Sequence, residues 1–176
     1  MADYELKVYD LTLDYEHNPT LAKNHNLHFA WKLDATGQNV CQTNYHIQIY
    51  HRKAASDQYT LLFDSGIINS SESYNVTCSD MKIPYAADCK AVVTVTDNKN
   101  NTAQAQCFFS TAPDDTFWQN AKWIKPLEHI SGWAPYLRTK FTTEHKEVFK
   151  AVMYACGLGC AEYYVNGEKT NDYYID

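Results

Sequence analysis

Apolar and polar side chains alternate in short segments through the first 111 residues of this chain, and helical spacing is almost absent there. Between Tyr45 and Ile49, for example, the apolar side chains fall on one face while His46 and Gln48 fall on the other. This period of two is typical of a half-buried antiparallel strand. Polar turn clusters separate the segments, so the pattern predicts an all-β fold.

About seven such strands in about 110 residues are typical of an immunoglobulin-like or fibronectin type III-like sandwich. The clearest predicted strands are Leu6–Leu13, Leu27–Leu33, Tyr45–Tyr50, Tyr59–Phe63, Ala91–Thr96 and Ala103–Thr111. The polar stretch 97–101 predicts the turn between the last two. The candidate core residues are Phe29, Trp31, Ile47, Ile49, Val93 and Val95.

The short polar segment 111–115, which contains Pro113, predicts a boundary between modules, so we divide the chain into 1–112 and 113–176. Asn166-Gly167 is the strongest hairpin signal, because both residues tolerate the positive φ of a type I′ turn. Four or five strands are too few for an independent sandwich, which predicts an incomplete second domain. Its predicted strands are Lys122–Lys125, Tyr136–Thr142, Val148–Ala155, Ala161–Val165 and Glu168–Ile175.

The net charge of −6, with scattered Lys and Arg, argues against nucleic-acid and anionic-membrane partners. No basic leader precedes an apolar stretch at the N-terminus, and the longest apolar run, 152–161, is too short to cross a bilayer. We therefore expect a cytoplasmic protein. Its six cysteines could pair in three disulfides, but a reducing compartment favours free thiols, with Cys156 and Cys160 buried.

Two tempting motifs have plainer interpretations. Asp64-Ser65-Gly66 places a serine beside an acid, but without a histidine in motif context it predicts a turn rather than a nucleophile. His25 and His28 have the spacing of a helix face, yet they lie in a loop and a strand, so we assign no metal-binding residue.

Several segments together resemble one family, the bacterial α-L-rhamnosidases, which are inverting glycoside hydrolases. In the first module these segments are Phe29–Leu33, Gln42–Ile49, Phe63–Ser70 and Phe109–Thr111. In the second they are Trp123–Ile124, Ala134–Phe141, Ala155–Gly159 and Tyr163–Lys169. Phe63, where the family usually has Trp, is one departure from the pattern.

The resemblance implies a fibronectin III/immunoglobulin-like sandwich followed by a truncated jelly-roll β-sandwich. In the family the catalytic carboxylates lie on a later (α/α)6 barrel, so the resemblance implies no catalytic residue here. It implies a scaffold whose partners are the barrel of its own polypeptide and, in the intact enzyme, terminal α-L-rhamnosides. A jelly roll lacking strands would expose apolar surface, so the fragment is expected to self-associate.

Two other functions stay open: a stand-alone rhamnose-binding module and a ligand-free interaction module. In some relatives the jelly roll binds rhamnose with the help of calcium, the one cofactor that the resemblance allows. The candidates for an exposed aromatic surface are Trp133, Tyr163, Tyr164 and Tyr173, because flat rings stack on sugars. The four residues that we predict to bind carbohydrate are Trp133, Tyr163, Tyr164 and Asn166. The polar residues of the same region are Asn166, Glu162, Asp172 and Asp176, none of which we assign as a calcium ligand.

Overall fold

The computed structural model describes residues 4–53, 56–78, 80–128, 132–144 and 147–170. The chain divides into two compact units, Met1–Leu137 and Arg138–Asp176. In the first unit, seven strands form two antiparallel sheets with the orders β1-β2-β5 and β4-β3-β6-β7, which confirms the predicted β-sandwich. The strands are β1 Leu6–Leu13, β2 His28–Ala35, β3 Gln42–Arg52, β4 Tyr59–Asn69, β5 Val76–Thr77, β6 Asp88–Asp97 and β7 Thr102–Ser110.

The core lies between the two sheets and is built from the inward faces of alternating strands. All six predicted core residues are buried. Trp31 of β2 meets Tyr45 of β3 edge to face, with ring centroids 5.3 Å apart. This geometry is favoured by the ring quadrupoles and joins the two sheets across the core.

One buried polar side chain, Gln42 at the start of β3, has hydrogen-bond partners on both its amide oxygen and its amide nitrogen. Its Oε1 accepts a hydrogen bond from Nε1 of Trp31 at 3.0 Å. Its Nε2 donates to the carbonyl oxygens of Ser70 at 3.0 Å and Glu72 at 2.8 Å. Because a buried unpaired amide is costly, this arrangement fixes the segment after β4 to the core.

The predicted turn between the last two strands is confirmed, and Asp97 organises it from a buried position. Its Oδ1 accepts the amides of Lys99 at 2.8 Å and Asn101 at 2.9 Å, and its Oδ2 accepts the hydroxyl of Tyr4. Burial alone would raise the pKa of Asp97, but the hydrogen bonds from Tyr4 and from the loop amides outweigh it and lower the pKa.

The prediction that Asp64-Ser65-Gly66 forms a turn is wrong, because the three residues lie inside β4 as a β-bulge. Ser65 and Gly66 together face Ile47 of β3, and Gly66 has φ +63°. Asp64 Oδ1 accepts the Gly66 amide at 2.8 Å, as such a motif does in a turn. The same local hydrogen bonds serve a bulge once a partner strand is present.

After β7 the chain stays attached to the sandwich through Thr111, whose hydroxyl donates to the Pro84 carbonyl at 2.7 Å, and through Ala112, whose amide donates to Ala22 at 2.9 Å. A 3-10 helix follows at Asp115–Asn120, capped by Asp114. Residues 113–137 group with the first unit rather than the second. The domain boundary at residue 112 stays a prediction.

In the described part of the second unit, the strands are a hairpin of β8 Tyr164–Val165 and β9 Glu168–Lys169. The predicted strands 122–125, 136–142 and 148–155 do not form, and 171–175 lie outside the described residues. A strand needs a hydrogen-bonded neighbour, and in the hairpin the turn supplies one within a few residues.

The side chains of this unit are correspondingly exposed. Large apolar residues in contact with solvent include Phe141, Phe149, Val152, Met153 and Leu158. Cys156 and Cys160 are exposed as well, so the prediction that they are buried is wrong. Without a facing sheet, an alternating pattern has nothing to pack against. Among the described residues, no helix has the length and hydropathy that crossing a membrane requires.

Candidate functional site

The β8–β9 hairpin carries three of the four residues predicted to bind carbohydrate, Tyr163, Tyr164 and Asn166. Asn166 has φ +53° and Gly167 φ +89°, which confirms the predicted type I′ geometry. The amide and hydroxyl of Thr170 donate to the Tyr163 carbonyl at 2.9 and 3.1 Å. Asn166 therefore lies at the tip of a short ribbon, Tyr164 lies in its first strand, and Tyr163 lies beside its open end.

Glu162 fixes one side of this hairpin. Its carboxylate accepts hydrogen bonds from Lys169 Nζ and from the Tyr164 hydroxyl, each at 2.8 Å. The bond from Lys169, followed by that from Tyr164, lowers the pKa of Glu162. The Tyr164 ring is anchored at its hydroxyl, yet 52% of the residue stays exposed. This geometry suits a flat ring offered to a ligand.

The fourth predicted residue, Trp133, lies in the first unit and is 78% exposed. The four residues predicted to bind carbohydrate thus lie in two different units: three in or beside the hairpin of the second unit and Trp133 in the first unit. Tyr173, Asp172 and Asp176 lie outside the described residues.

The described residues do not fit a calcium site in this region. Both carboxylate oxygens of Glu162 already accept hydrogen bonds from neighbouring side chains. No group of three or more His, Cys, Asp or Glu side chains converges in the described part of the chain. Calcium takes six to eight oxygen ligands, so we derive no function through it.

The β3–β4 pair brings together an acid, a histidine and a serine, yet not as a catalytic triad. Asp64 Oδ1 lies 2.6 Å from Nε2 of His46. The Ser65 hydroxyl instead donates to the Gly66 carbonyl at 2.7 Å and accepts the Ile47 amide at 2.9 Å. The Gly66 amide, then Gln48 and His46, lower the pKa of Asp64 to about 2. With the serine bonded to the backbone, the cluster holds the bulge.

Sequence reasoning missed an exposed aromatic cluster beside the small sheet. The rings of Tyr15 and His28 are stacked, with centroids 6.0 Å apart and planes 17° apart, and Tyr74 lies 6.2 Å from Tyr15 at 47°. The Tyr15 hydroxyl donates to Oδ1 of Asn75 at 2.9 Å. The sequence offered little signal, because Asp14-Tyr15 is not a typical hairpin-turn pair.

Comparison with known proteins gives the family and the fold. The family model described as the Rha78A-like, N-terminal immunoglobulin domain matches residues 8–113. A curated relative, the α-L-rhamnosidase of Formosa agariphila, is 27% identical over 190 aligned positions that include 93% of this chain and 20% of that protein. The chain therefore spans a small part of the length of the curated relative.

Solved structures show the same fold. An α-L-rhamnosidase from Dictyoglumus thermophilum matches 64% of this chain and 13% of its own, with a TM-score of 0.52 and 21% identity. The Streptomyces avermitilis α-L-rhamnosidase complexed with L-rhamnose matches 61% and 11%, with a TM-score of 0.53 and 18% identity. The model match covers more than half of the sequence and includes all seven strands of the sandwich except the first two residues of β1. The resemblance to α-L-rhamnosidases is thereby confirmed, and the chain belongs to the family of Rha78A-like N-terminal immunoglobulin domains.

Proposed function

We propose that this chain is a non-catalytic, scaffold part of an α-L-rhamnosidase, the enzyme that removes terminal α-L-rhamnose from glycosides. One observation carries the proposal: nearly the whole chain aligns with a fifth of a curated α-L-rhamnosidase. The immunoglobulin-like sandwich, whose seven strands are paired in two sheets around a buried core, is suited to hold a neighbouring catalytic domain in position.

The electrostatics of the described residues support a non-catalytic role. An inverting glycosidase needs a general acid whose pKa is raised, opposite a carboxylate that activates water. The described carboxyl groups with resolved pKa shifts all shift downward; they are Asp10, Asp64, Asp97 and Glu162. At three of them a hydrogen bond from a lysine or an amide is the leading cause, and at the fourth hydrogen bonds outweigh burial. Each is thus held ionised and unsuited to donate a proton near neutral pH.

We propose further that residues 113–176 are the first part of the jelly-roll domain and are covered by the rest of the enzyme. The exposed apolar side chains of the second unit support this, since such surface is normally buried against a partner. Without that cover, association between copies of the chain is the expected alternative. The cytoplasmic location stays a prediction.

The test is hydrolysis of an aryl α-L-rhamnoside by the purified 176-residue chain, with the Formosa agariphila enzyme as the positive control. The chain should release no aryl alcohol above the blank. Activity that stays with the chain through a second, different purification step would contradict the proposal, because it would place a catalytic pair within these residues.

A rhamnose-binding module is the second candidate, supported by the half-exposed, anchored ring of Tyr164. Calorimetry with L-rhamnose should then show saturable binding that Tyr164→Ala weakens. Phe141→Ala, which removes another exposed ring of the second unit, is the matched control. Binding that both variants leave unchanged would argue against this use of the hairpin.

A further inference from the structure

The turn after β1 contains a tyrosine, Tyr15, in a backbone conformation that is unfavourable for this residue. Leu13 and Glu16 exchange backbone hydrogen bonds at 2.9 and 3.0 Å around Asp14 and Tyr15, whose φ values are +48° and +69°. This is a two-residue type I′ turn, in which Gly or Asn normally occupies the second position. A tyrosine with positive φ is a genuine outlier, and such strain persists where the surroundings enforce it.

The surroundings hold the Tyr15 ring in place without burying it. The ring stacks on His28, and its hydroxyl is fixed by Asn75. Asp14 Oδ1 in turn lies 3.0 Å from the His28 amide and 3.2 Å from its Nδ1, so that the ring beneath Tyr15 is oriented as well. Tyr15 nevertheless stays 59% exposed. The strained backbone of Tyr15 therefore places its ring at the surface instead of in the core.

A second ring extends this surface. Tyr74 is 68% exposed and tilted by 47° against Tyr15. The neighbouring Asn75 has φ +54° and directs its side chain to the Tyr15 hydroxyl. Tyr15, Tyr74 and His28 together form what we call the aromatic platform. It offers flat, amphipathic faces beside the Asn75 amide, while the Asp14 carboxylate is bonded to His28.

A surface depression adjoins the platform and shares His28 with it. Its lining residues are Lys23, His25, Asn26, His28 and Thr77, with no carboxylate among them. Within the part of the chain that the structure describes, Lys23 forms no ion pair. A free ammonium group beside imidazole, amide and hydroxyl groups is suited to an acid group surrounded by hydroxyls.

We propose that the aromatic platform and the adjoining depression form a binding site for a saccharide that carries an acid group. One sugar ring stacks on Tyr15 and Tyr74, and the carboxylate of its neighbour faces Lys23. Stacked rings provide the apolar contact, while Asn26 and Thr77 provide hydrogen bonds to hydroxyls. This proposal depends on the proposed function in one respect only: that function is the reason for including rhamnose in one of the two probes described below.

The experiment is calorimetry and amide NMR on the full chain with two probes. One is an oligosaccharide of alternating L-rhamnose and galacturonic acid, and the other is tetragalacturonate. We expect saturable binding, with amide shifts around Tyr15, Tyr74 and Lys23. The same oligosaccharides with their carboxylates reduced to alcohols should bind more weakly, because Lys23 then lacks its partner.

Tyr15→Gly is the decisive variant, because glycine relieves the positive φ while removing the ring. Its urea midpoint should stay the same or rise, while its affinity for the probe falls about tenfold or more. Tyr85→Ala, which removes an exposed tyrosine outside the platform, is the matched control and should bind normally.

Absence of saturable binding to both probes would overturn the site, as would binding that Tyr15→Gly leaves unchanged. Equal affinity for the reduced and acidic probes would overturn the acid requirement. Binding of tetragalacturonate alone would keep the site and count against rhamnose as the sugar of the proposed function. Shifts confined to the β8–β9 hairpin would overturn the platform in favour of the rhamnose-binding candidate.

Discussion

The immunoglobulin-like sandwich and the segment 138–170 have similar alternating sequences but very different structures. In the sandwich, each of the seven strands has a hydrogen-bonded neighbour, and the inward side chains are buried between two sheets. In the described part of 138–170, the paired strands are the two residues each of β8 and β9, Ala161 forms an isolated bridge, and residues such as Phe141 face solvent. An alternation of apolar and polar residues therefore favours a β-strand, but the strand forms only where it has a hydrogen-bonded partner strand and a sheet that faces it.

The thiols should show the largest contrast between buried and exposed positions. Burial raises the pKa of Cys78 to about 11, and the pKa values of Cys89 and Cys107 to about 12. These three should react with a disulfide reagent at pH 8 about 10³-fold or more slowly than Cys41 and Cys156, because reaction requires opening of the sandwich. Timed absorbance at a series of urea concentrations measures this. A single common rate would show that the sandwich core is open.

Removal of one aromatic ring from each region should give the next largest difference. Trp31→Ala should cost about 3–5 kcal/mol of unfolding free energy, because it leaves a cavity and removes the indole donor of Gln42. Phe141→Ala, at a residue that is 80% exposed, should change it by about 0.5 kcal/mol or less. Urea unfolding followed by circular dichroism measures both, with Trp31→Phe as the milder variant. A loss at Phe141 equal to that at Trp31 would mean that the two regions share one core.

Backbone conformation allows a finer comparison. Gly66→Ala should cost the sandwich about 1–2 kcal/mol, since an added Cβ meets no atom within 4 Å and the penalty comes from φ +63° alone. Gly66→Asn should cost less, because asparagine tolerates this conformation. Gly167→Ala, at φ +89°, should disturb the amide signals of the hairpin and leave the unfolding midpoint of the sandwich unchanged. A lowered midpoint for Gly167→Ala would show that the hairpin supports the sandwich.

The smallest expected effect concerns pH. The folded-state pKa of Asp64, about 2, lies below the ordinary value of about 4, so its contribution to stability is complete above about pH 4 and disappears as pH falls toward 2. Asp64→Asn should therefore lower the thermal midpoint at pH 6 more than at pH 2. An equal decrease at both values would indicate that the Gly66 amide bond does not depend on the charge.

The sequence predicted the sandwich well because its strands are long, alternating and separated by clear turns. It missed β5, since two residues such as Val76–Thr77 are too short to show a period. It predicted a turn at Asp64–Gly66 because the local hydrogen bonds of a turn and a bulge are alike, and only the register with β3 distinguishes them. Three of the four predicted carbohydrate-binding residues lie on the hairpin, whose Asn-Gly signal is local. The aromatic platform was missed because β1, β2 and the segment before β5 meet only in the folded protein.

The buried Asp97 has a practical meaning for anyone who trims this protein. Its carboxylate joins Tyr4, ahead of the first strand, to a loop more than ninety positions later. A shortened chain that starts at Glu5 would lack the Tyr4 hydroxyl, and the Asp97 carboxylate would lose one of its hydrogen-bond donors. The damage would then show at the far loop rather than at the new end, which makes the opening residues a poor place for shortening or for a tightly fused tag.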